Sequence, residues 1–167
     1  MAKRMAGMLI ILMCIMLISP SGMAEAKKKR FITKASPGNP FKSYMDYRCI
    51  TNRSSRQYKL QRKAVTNKSN GLRMIKGRYC IALGSYYTRK IGAKVDLVMG
   101  SGKVVKCITA DMKSDRDTVN NHRQHRDGSV AEFVVDTRKL SKKVRRMGDV
   151  SYASPFKGRI KKIRIYK

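Results

Sequence analysis

The chain has 167 residues and a mass of 19.0 kDa, a size that suits a single compact domain. It contains 39 Lys and Arg against 10 Asp and Glu, which gives a formal net charge of +29 at pH 7. Hydrophobic residues make up 42% of the sequence, and no apolar run reaches the roughly 18 residues of a membrane span, so the composition excludes a disordered basic tail and a multi-span membrane protein.

Residues 1–26 have the pattern of a secretory signal peptide. Lys3 and Arg4 supply a positive start, residues 5–18 are continuously apolar, and residues 24–26 (Ala-Glu-Ala) offer a small-x-small cleavage site. The alternative is an uncleaved N-terminal anchor, which the shortness of the apolar stretch disfavours. Cleavage would remove two basic side chains and one acidic one, leaving a charge of +28. We therefore expect an exported protein with no stable membrane anchor.

The chain after this segment divides into a lead-in and a domain. Residues 27–43 are basic and include a stretch rich in Ser, Pro and Gly, which predicts a flexible linker. The domain is expected over residues 44–167. Within it, residues 58–66 alternate loosely and predict a strand, and the apolar run 79–83 predicts a buried strand.

Three further β segments follow. Residues 93–99 and 103–110 flank the Gly-Ser-Gly sequence at 100–102, which is a strong signal for a hairpin turn. Residues 130–136 form another apolar run of strand length. Residues 159–166 alternate Ile with Lys and Arg and predict a half-exposed final strand.

One helix is predicted near the end of the domain. Leu140, Val144 and Met147 recur at the i, i+4 and i+7 positions of a helical face. Thr137 can cap the start of this helix, and Gly148 lies just beyond its end. Short strands with Gly-rich turns and one helix together predict a mainly β protein, built as a small β-barrel.

Three cysteines remain after the predicted cleavage site, namely Cys49, Cys80 and Cys107. An odd number permits at most one disulfide and one free thiol. Cys80 and Cys107 lie in apolar strand segments, which favours a plain role in the core. No Cys-x-x-Cys or Cys/His spacing of a zinc module is present.

The acidic residues are few and are concentrated in one stretch. Six of them lie in a single segment of the chain: Asp111, Asp115, Asp117, Asp127, Glu132 and Asp136. Glu132 is the only glutamate that follows the signal segment, and it stands inside an apolar strand. A carboxyl in such surroundings is costly unless it is paired or neutral, and burial raises its pKa, as a general acid requires. The alternative is that Glu132 forms a structural ion pair with a basic side chain.

The segment 111–128 also has a weak resemblance to a metal site. Asp115 and Asp117 match the start of a calcium loop, but the Gly and the closing Glu of that loop are absent. His122 and His125 are three residues apart, but they lie among arginines, which favours a solvated loop. We therefore expect no metal and no cofactor.

Four stretches of the chain resemble the three-aspartate (3D) domain, the double-psi β-barrel of secreted peptidoglycan-lytic proteins related to lytic transglycosylase A. They are residues 79–85, 91–97, 107–111 and 128–133. Asp111 matches the second aspartate of the family, and Glu132 matches the third, which the family uses as the catalytic acid. The first aspartate falls at Gly84 or Ser85 and is lost, and the Thr-Gly after the second is replaced by Met112 and Lys113.

The resemblance implies a small six-stranded double-psi β-barrel with one short helix. It also implies that Glu132 acts as general acid/base on a glycosidic bond, with a hydroxyl of the sugar itself attacking to give an anhydro product. Asp111 would orient Glu132 or stabilise positive charge on the sugar. Tyr86 and Tyr87, which follow the turn at Gly84, are candidates to stack on sugar rings. The alternative is that at least one of these tyrosines packs in the core.

Three functions are therefore compared. The first is a secreted, monomeric cell-wall protein that acts on peptidoglycan as a lytic transglycosylase-like enzyme, with peptidoglycan and anionic wall polymers as partners. The second is a non-catalytic wall- or polyanion-binding module on the same barrel, which the lost aspartate favours. The third is nucleic-acid binding, which the charge favours, but the export signal and the absence of a recognisable nucleic-acid motif count against it.

Overall fold

The computed structural model describes residues 31–167, so the predicted signal peptide at 1–26 lies outside the described residues. Eleven strands are present in this part of the chain: β1 (Phe31–Ala35), β2 (Tyr44–Asp46), β3 (Val65–Thr66), β4 (Arg73–Ile75), β5 (Arg78–Leu83), β6 (Lys94–Met99), β7 (Val104–Met112), β8 (Thr118–Val119), β9 (Gln124–His125), β10 (Ala131–Val135) and β11 (Ile160–Tyr166). Two α-helices accompany them, α1 (Arg56–Gln61) and α2 (Lys142–Met147). No helix between residues 31 and 167 is long and apolar enough to cross a membrane.

Nine of the strands form one mixed sheet, which confirms the prediction of a mainly β protein. Its main path runs β1-β11-β6-β7-β5-β10-β2, and the β3–β4 hairpin attaches to β5. The β5/β7 and β10/β2 neighbours are parallel, and the other neighbours on the path are antiparallel. Within residues 31–167 these pairings form an open path, and β8 and β9 make a separate two-stranded hairpin.

An apolar cluster covers each face of the sheet. Successive residues of a strand point to opposite sides, so the continuous apolar stretches supply side chains to both clusters. The larger apolar cluster includes Ile81, Leu97 and Phe133, and Phe156 packs edge-on against Phe133 with ring centroids 4.8 Å apart. A smaller cluster occupies the other face; its buried members are Ala64, Ile75, Cys80, Ile108, Ala110 and Val134. Leu60 of α1 packs against this second cluster, so the helix covers that side of the sheet.

The three cysteines between residues 31 and 167 are free thiols, and two of them lie in the core. Cys80 and Cys107 are fully buried in the two different clusters, which confirms their predicted core role, whereas Cys49 is exposed. Burial raises the pKa of the Cys80 thiol to about 11 and also raises that of Cys107. These two thiols are therefore protonated and unreactive near neutral pH.

The strands predicted from apolar or alternating segments are present in the sheet. The predicted strands at 79–83, 93–99, 103–110, 130–136 and 159–166 correspond to β5, β6, β7, β10 and β11. The predicted hairpin between β6 and β7 is also present, and the Met99 amide donates to the Lys103 carbonyl at 2.8 Å. Gly102 has φ +85° in this turn, a conformation that glycine adopts without strain.

The prediction that residues 27–43 form a linker is wrong for the part that the structure describes. β1 pairs with β11 over its whole length, from Phe31 opposite Tyr166 to Ala35 opposite Lys162. The side chain of Lys42 is fully buried, and its Nζ donates to the Pro40 and Gly158 carbonyls at 2.6 Å each. This segment belongs to the fold because it extends the sheet at the edge formed by β11.

The predicted strand at 58–66 is wrong over its first half. Residues 56–61 form α1, which Ser55 caps by accepting a hydrogen bond from the Tyr58 amide at 3.1 Å. Only Val65 and Thr66 of the predicted segment are in a strand. The described chain therefore has two α-helices where the sequence predicted one.

The second helix is shorter than predicted. Its cap is Ser141, whose Oγ accepts a hydrogen bond from the Val144 amide at 3.2 Å. Thr137 instead begins a separate 3-10 turn, Thr137–Lys139, because the Asp136 side chain accepts a hydrogen bond from the Arg138 amide. The predicted end is confirmed, since Gly148 follows Met147 with φ +62°.

Candidate functional site

The two carboxyls singled out from the sequence lie in one row across three neighbouring strands. Ala82 of β5 is the register partner of Asp111 in β7 and of Glu132 in β10. Directly paired residues point to the same face of a sheet, so both carboxyls face one side, with their strands about 10 Å apart. This is the face that α1 covers, and the Gln57 side chain of α1 lies beside Asp111.

Asp111 is a half-buried carboxyl that has no cationic partner in the described part of the chain. Its Oδ1 accepts a hydrogen bond from the Met112 amide at 2.8 Å, and it takes part in none of the ion pairs found among residues 31–167. Burial raises the pKa of this carboxyl, an effect that the hydrogen bond from Met112 only partly opposes. Asp111 is therefore better suited than an exposed aspartate to carry a proton.

Glu132 is the counter-ion of a buried lysine. Its side chain is 25% exposed, and its Oε2 lies 3.7 Å from Nζ of Lys113, whose side chain is 1% exposed. Nζ of Lys113 also donates to Ser129 Oγ at 3.1 Å, and this oxygen lies 2.8 Å from Ser43 Oγ. Burial lowers the pKa of Lys113, while Glu132 and Asp127 act in the opposite direction. The ion-pair alternative raised from the sequence is thus present at Glu132.

The two tyrosines have different environments. Tyr87 is 3% exposed and packs in the larger core cluster, where burial raises its pKa to about 12. Tyr86 is half-buried, with Nζ of Lys34 4.5 Å and the guanidinium of Arg123 4.4 Å from its ring centroid. Tyr86 is therefore the one of the pair that is partly exposed to solvent, and two cations lie over its ring.

The loop between β8 and β9 docks against the end of β5. Asn120, Asn121 and His122 are in the left-handed conformation, with φ of 54°, 53° and 58°. A Cβ built at Gly84 would lie 1.9 Å from the His122 carbonyl oxygen, so only glycine allows this approach. The same contact leaves no room for an aspartate at position 84, one of the two positions at which the first aspartate of the family pattern was expected.

A third carboxyl, that of Asp115, lies at the end of β5. Asp115 accepts a hydrogen bond from Ser85 Oγ at 2.6 Å and lies 3.2 Å from the Arg89 guanidinium. The Ser85 hydrogen bond is the main cause that lowers the pKa of Asp115. The sequence points to Asp115 only through the similarity of residues 115–117 to the start of a calcium loop.

The histidines of this region bind neighbouring side chains. Nδ1 of His122 lies 2.7 Å from Thr118 Oγ1 and 3.5 Å from Asp115 Oδ1, and Nδ1 of His125 lies 3.1 Å from Asp127. Between residues 31 and 167, no three potential metal-ligating side chains of the His, Cys, Asp or Glu type come together.

A second candidate site, also missed from the sequence, lies beside α1. It is a groove of about 510 Å³, here called the arginine groove. Its lining residues are Tyr47, Arg48, Ile50, Thr51, Arg53, Tyr58, Gln61, Arg62 and Arg73. The partial signal in the sequence is that residues 47–62 contain two Tyr and four Arg and no acidic residue. No family model, curated protein or solved structure matches the chain.

Proposed function

We propose that the protein is a secreted cell-wall protein that acts on peptidoglycan as a lytic transglycosylase-like enzyme, with Asp111 as its general acid. The observation that carries the proposal is the row Asp111–Ala82–Glu132, which presents two carboxyls on one face of three adjacent strands. Asp111 takes the acid role from Glu132 in this proposal, because burial raises its pKa and it has no cationic partner among the described residues. The export pattern and the resemblance to the 3D domain support the choice of peptidoglycan.

The reaction needs one proton donor and no water. Asp111 transfers its proton to the glycosidic oxygen as the bond from the sugar C1 to that oxygen breaks. The C6 hydroxyl of the same sugar attacks C1, forming the anhydro ring, and its proton passes to the Asp111 carboxylate. Asp111 thus ends the cycle protonated, and the products are a shortened glycan and an anhydro sugar end.

The other carboxyls have supporting roles in this scheme. Glu132 is the counter-ion of Lys113, and from the same face it stabilises positive charge that develops on the sugar ring. Asp115, held by Ser85 at the end of β5, supplies a carboxylate near the place of the lost first aspartate. Tyr86 is the residue that we expect to contact a sugar ring.

The six-stranded double-psi β-barrel is part of the same proposal. It is supported by the parallel pairs β5/β7 and β10/β2, whose strands are joined by long crossings instead of hairpins. An experimental structure in which the path from β1 to β2 does not close on itself would contradict this finer description.

Digestion of purified sacculi tests the enzymatic proposal. The mature protein should release anhydro-muropeptides, and Asp111→Asn should lower the rate at least about 100-fold, as the loss of a general acid does. The matched control is Asp117→Asn, since Asp117 is an exposed aspartate in the nearby loop. Equal release by the protein and Asp111→Asn, or no release by either, would contradict the proposal. Loss of activity in a folded Glu132→Gln while Asp111→Asn stays active would return the acid role to Glu132.

The second candidate function is a non-catalytic module that binds an anionic wall polymer. The Glu132–Lys113 ion pair favours it, because a carboxylate that balances a buried ammonium is explained without catalysis. Under this function the protein sediments with wall material, releases no muropeptides, and loses binding steeply as salt rises. Binding that persists in Asp111→Asn without any muropeptide release would support it.

A further inference from the structure

We infer that the arginine groove is a binding site for the phosphodiester groups of an anionic wall polymer of the polyol-phosphate type. The choice of a wall polymer rests on the proposed function, whereas the preference for phosphate rests on the groove alone. The groove lies between the 3-10 turn Tyr47–Cys49 and α1, and four of its nine lining residues are arginines while none is acidic. It contains neither Asp111 nor Glu132, so it is separate from the proposed catalytic row.

Among residues 31–167, only one of the four guanidinium groups has a carboxylate as an ion-pair partner. Arg48 forms a two-point contact with Asp46, from Nε to Oδ1 at 2.6 Å and from its NH2 nitrogen to Oδ2 at 2.8 Å. Asp46 is itself fixed, because it also accepts hydrogen bonds from the Thr137 amide and hydroxyl at 2.9 and 2.7 Å. Arg48 is therefore a rigid wall of the groove, and its charge is already balanced.

Arg73 carries an unbalanced charge at the base of the groove. Its guanidinium donates to the Gln61 and Ala64 carbonyls at 2.9 and 2.8 Å and to Thr66 Oγ1 at 2.9 Å, all of which are neutral acceptors. It stacks on the ring of Tyr47 at 4.4 Å from the centroid. Arg73 is half-buried and takes part in none of the ion pairs among residues 31–167, so a fixed positive charge faces the groove.

Arg53 and Arg62 supply the groups that can contact a ligand. Both are exposed, line the groove, and take part in none of the side-chain ion pairs found in the described part of the chain. Their planar N–H forks match the geometry of two phosphate oxygens, which a lysine ammonium cannot reproduce. The rings of Tyr47 and Tyr58 and the side chain of Ile50 give the apolar surface on which the C–H groups of a polyol can lie.

Titration with a poly(glycerol phosphate) oligomer at about 0.15 M salt tests this inference on the mature protein. Arg53→Gln combined with Arg62→Gln should weaken binding about 10- to 100-fold, since it removes charge-assisted hydrogen bonds. Lys103→Gln combined with Lys106→Gln removes the same charge from exposed positions at the start of β7 and should weaken binding only about two-fold. Arg53→Lys combined with Arg62→Lys keeps the charge and should still lose several-fold, because the forks are gone.

The remaining outcomes distinguish a polyol phosphate from other polyanions and the groove from the catalytic row. Equal weakening by the two glutamine pairs would overturn the inference, because binding would then follow total charge. Tighter binding of poly(glutamate), or of duplex DNA through the same two arginines, would overturn the assignment to a polyol phosphate. Poly(glycerol phosphate) contains no glycosidic bond, so the titration reports on the groove alone, and muropeptide release reports on the catalytic row. A failure of the catalytic proposal is thereby distinguishable from a failure of the groove.

Discussion

Two lysines in the interior are the residues whose chemistry departs most from expectation in so basic a protein. Lys42 is fully buried between two carbonyl acceptors, and Lys113 is buried between Ser129 and Glu132. Burial lowers the pKa of both, because a buried ammonium loses its hydration. The sequence around neither lysine predicts that its side chain is buried. Lys42 lies in the segment that was predicted to be a linker.

Lys42 should make a contribution to the stability of the protein that rises with pH on the alkaline side. Burial lowers its pKa to about 8 in the folded protein from 10.5, so between these values the unfolded chain binds more protons at this group than the folded one. Lys42 alone therefore adds of the order of 2 kcal/mol to the free energy of unfolding across that window, while the raised pKa of the Cys80 and Cys107 thiols acts in the opposite direction. Urea unfolding of the protein and of Lys42→Met at pH 8, 9 and 10 isolates the increase that Lys42 contributes.

Lys42→Met should flatten this increase, whereas Lys161→Met, at an exposed position, should leave it unchanged. Parallel pH profiles for the protein and Lys42→Met would show that Lys42 is not the group responsible.

The Glu132–Lys113 pair should show strong coupling in a double-mutant cycle. Glu132→Gln alone leaves the Lys113 ammonium buried without its counter-ion, which should cost about 2–4 kcal/mol of unfolding free energy. Lys113→Met combined with Glu132→Gln removes both charges and should recover at least half of that loss. Chemical denaturation of the two single variants and the double variant gives the coupling energy. Additive losses would mean that the two side chains do not stabilise each other.

At the scale of elements, the sequence predicted the strands that have a local apolar pattern. It did not predict the elements that are fixed by contacts with distant parts of the chain. β5 and β10 consist mostly of apolar residues, and this pattern predicted both strands. α1 has six residues, too few for a helical period to be read, and its cap at Ser55 was passed over. β1 was missed because an exposed edge strand has no buried face to give it a pattern.

The candidate site was predicted only in part, for a related reason. Asp111 and Glu132 were singled out because acids are rare in this chain. Their alignment through Ala82 depends on the register of strands that are not consecutive, and on an irregularity between Ile81 and Ala82. No local pattern encodes that register. The arginine groove was missed because it joins a turn, a helix and β4, which only the tertiary fold brings together.

Gly84→Ala tests how the β8–β9 loop is held. The added methyl group would overlap the His122 carbonyl oxygen, so the loop must move, at an expected cost of about 2–4 kcal/mol. Gly77→Ala is the control, because Gly77 has open space around it, so only its positive φ of +73° should cost stability, and about 1 kcal/mol is expected there. Thermal and urea unfolding compare the two. Equal losses would mean that the loop is not held tightly against β5.

At the scale of the whole molecule, the surface carries many more basic side chains than there are carboxylates to pair with them. Nine carboxylates lie between residues 31 and 167, and several are held in ion pairs, including Asp96 with Arg78 and Asp136 with Arg138. The remaining surface is dominated by Lys and Arg without carboxylate partners. Such a surface binds many polyanions weakly, so a specific site is identified by a local change that exceeds the effect of total charge.

The edge pairing of β1 should contribute to the stability of the whole sheet. A chain that begins at residue 37 lacks β1 and exposes the backbone of β11 along five paired positions. We expect it to melt several degrees below a chain that begins at residue 27, and to associate more readily through the free edge. Calorimetry and light scattering measure both effects. Identical melting temperatures would show that β1 adds nothing to the cooperative unit.

The partnership of β1 with β11 also fixes the order of events when the protein is made. Synthesis proceeds from the amino end, so Phe31 leaves the ribosome long before Tyr166, its register partner, exists. β6 likewise waits for β11 on one side. One flank of the sheet therefore closes only after residue 166 has been delivered, and until then the early strands persist with open edges. Completion of this flank of the sheet is in this way tied to the delivery of β11.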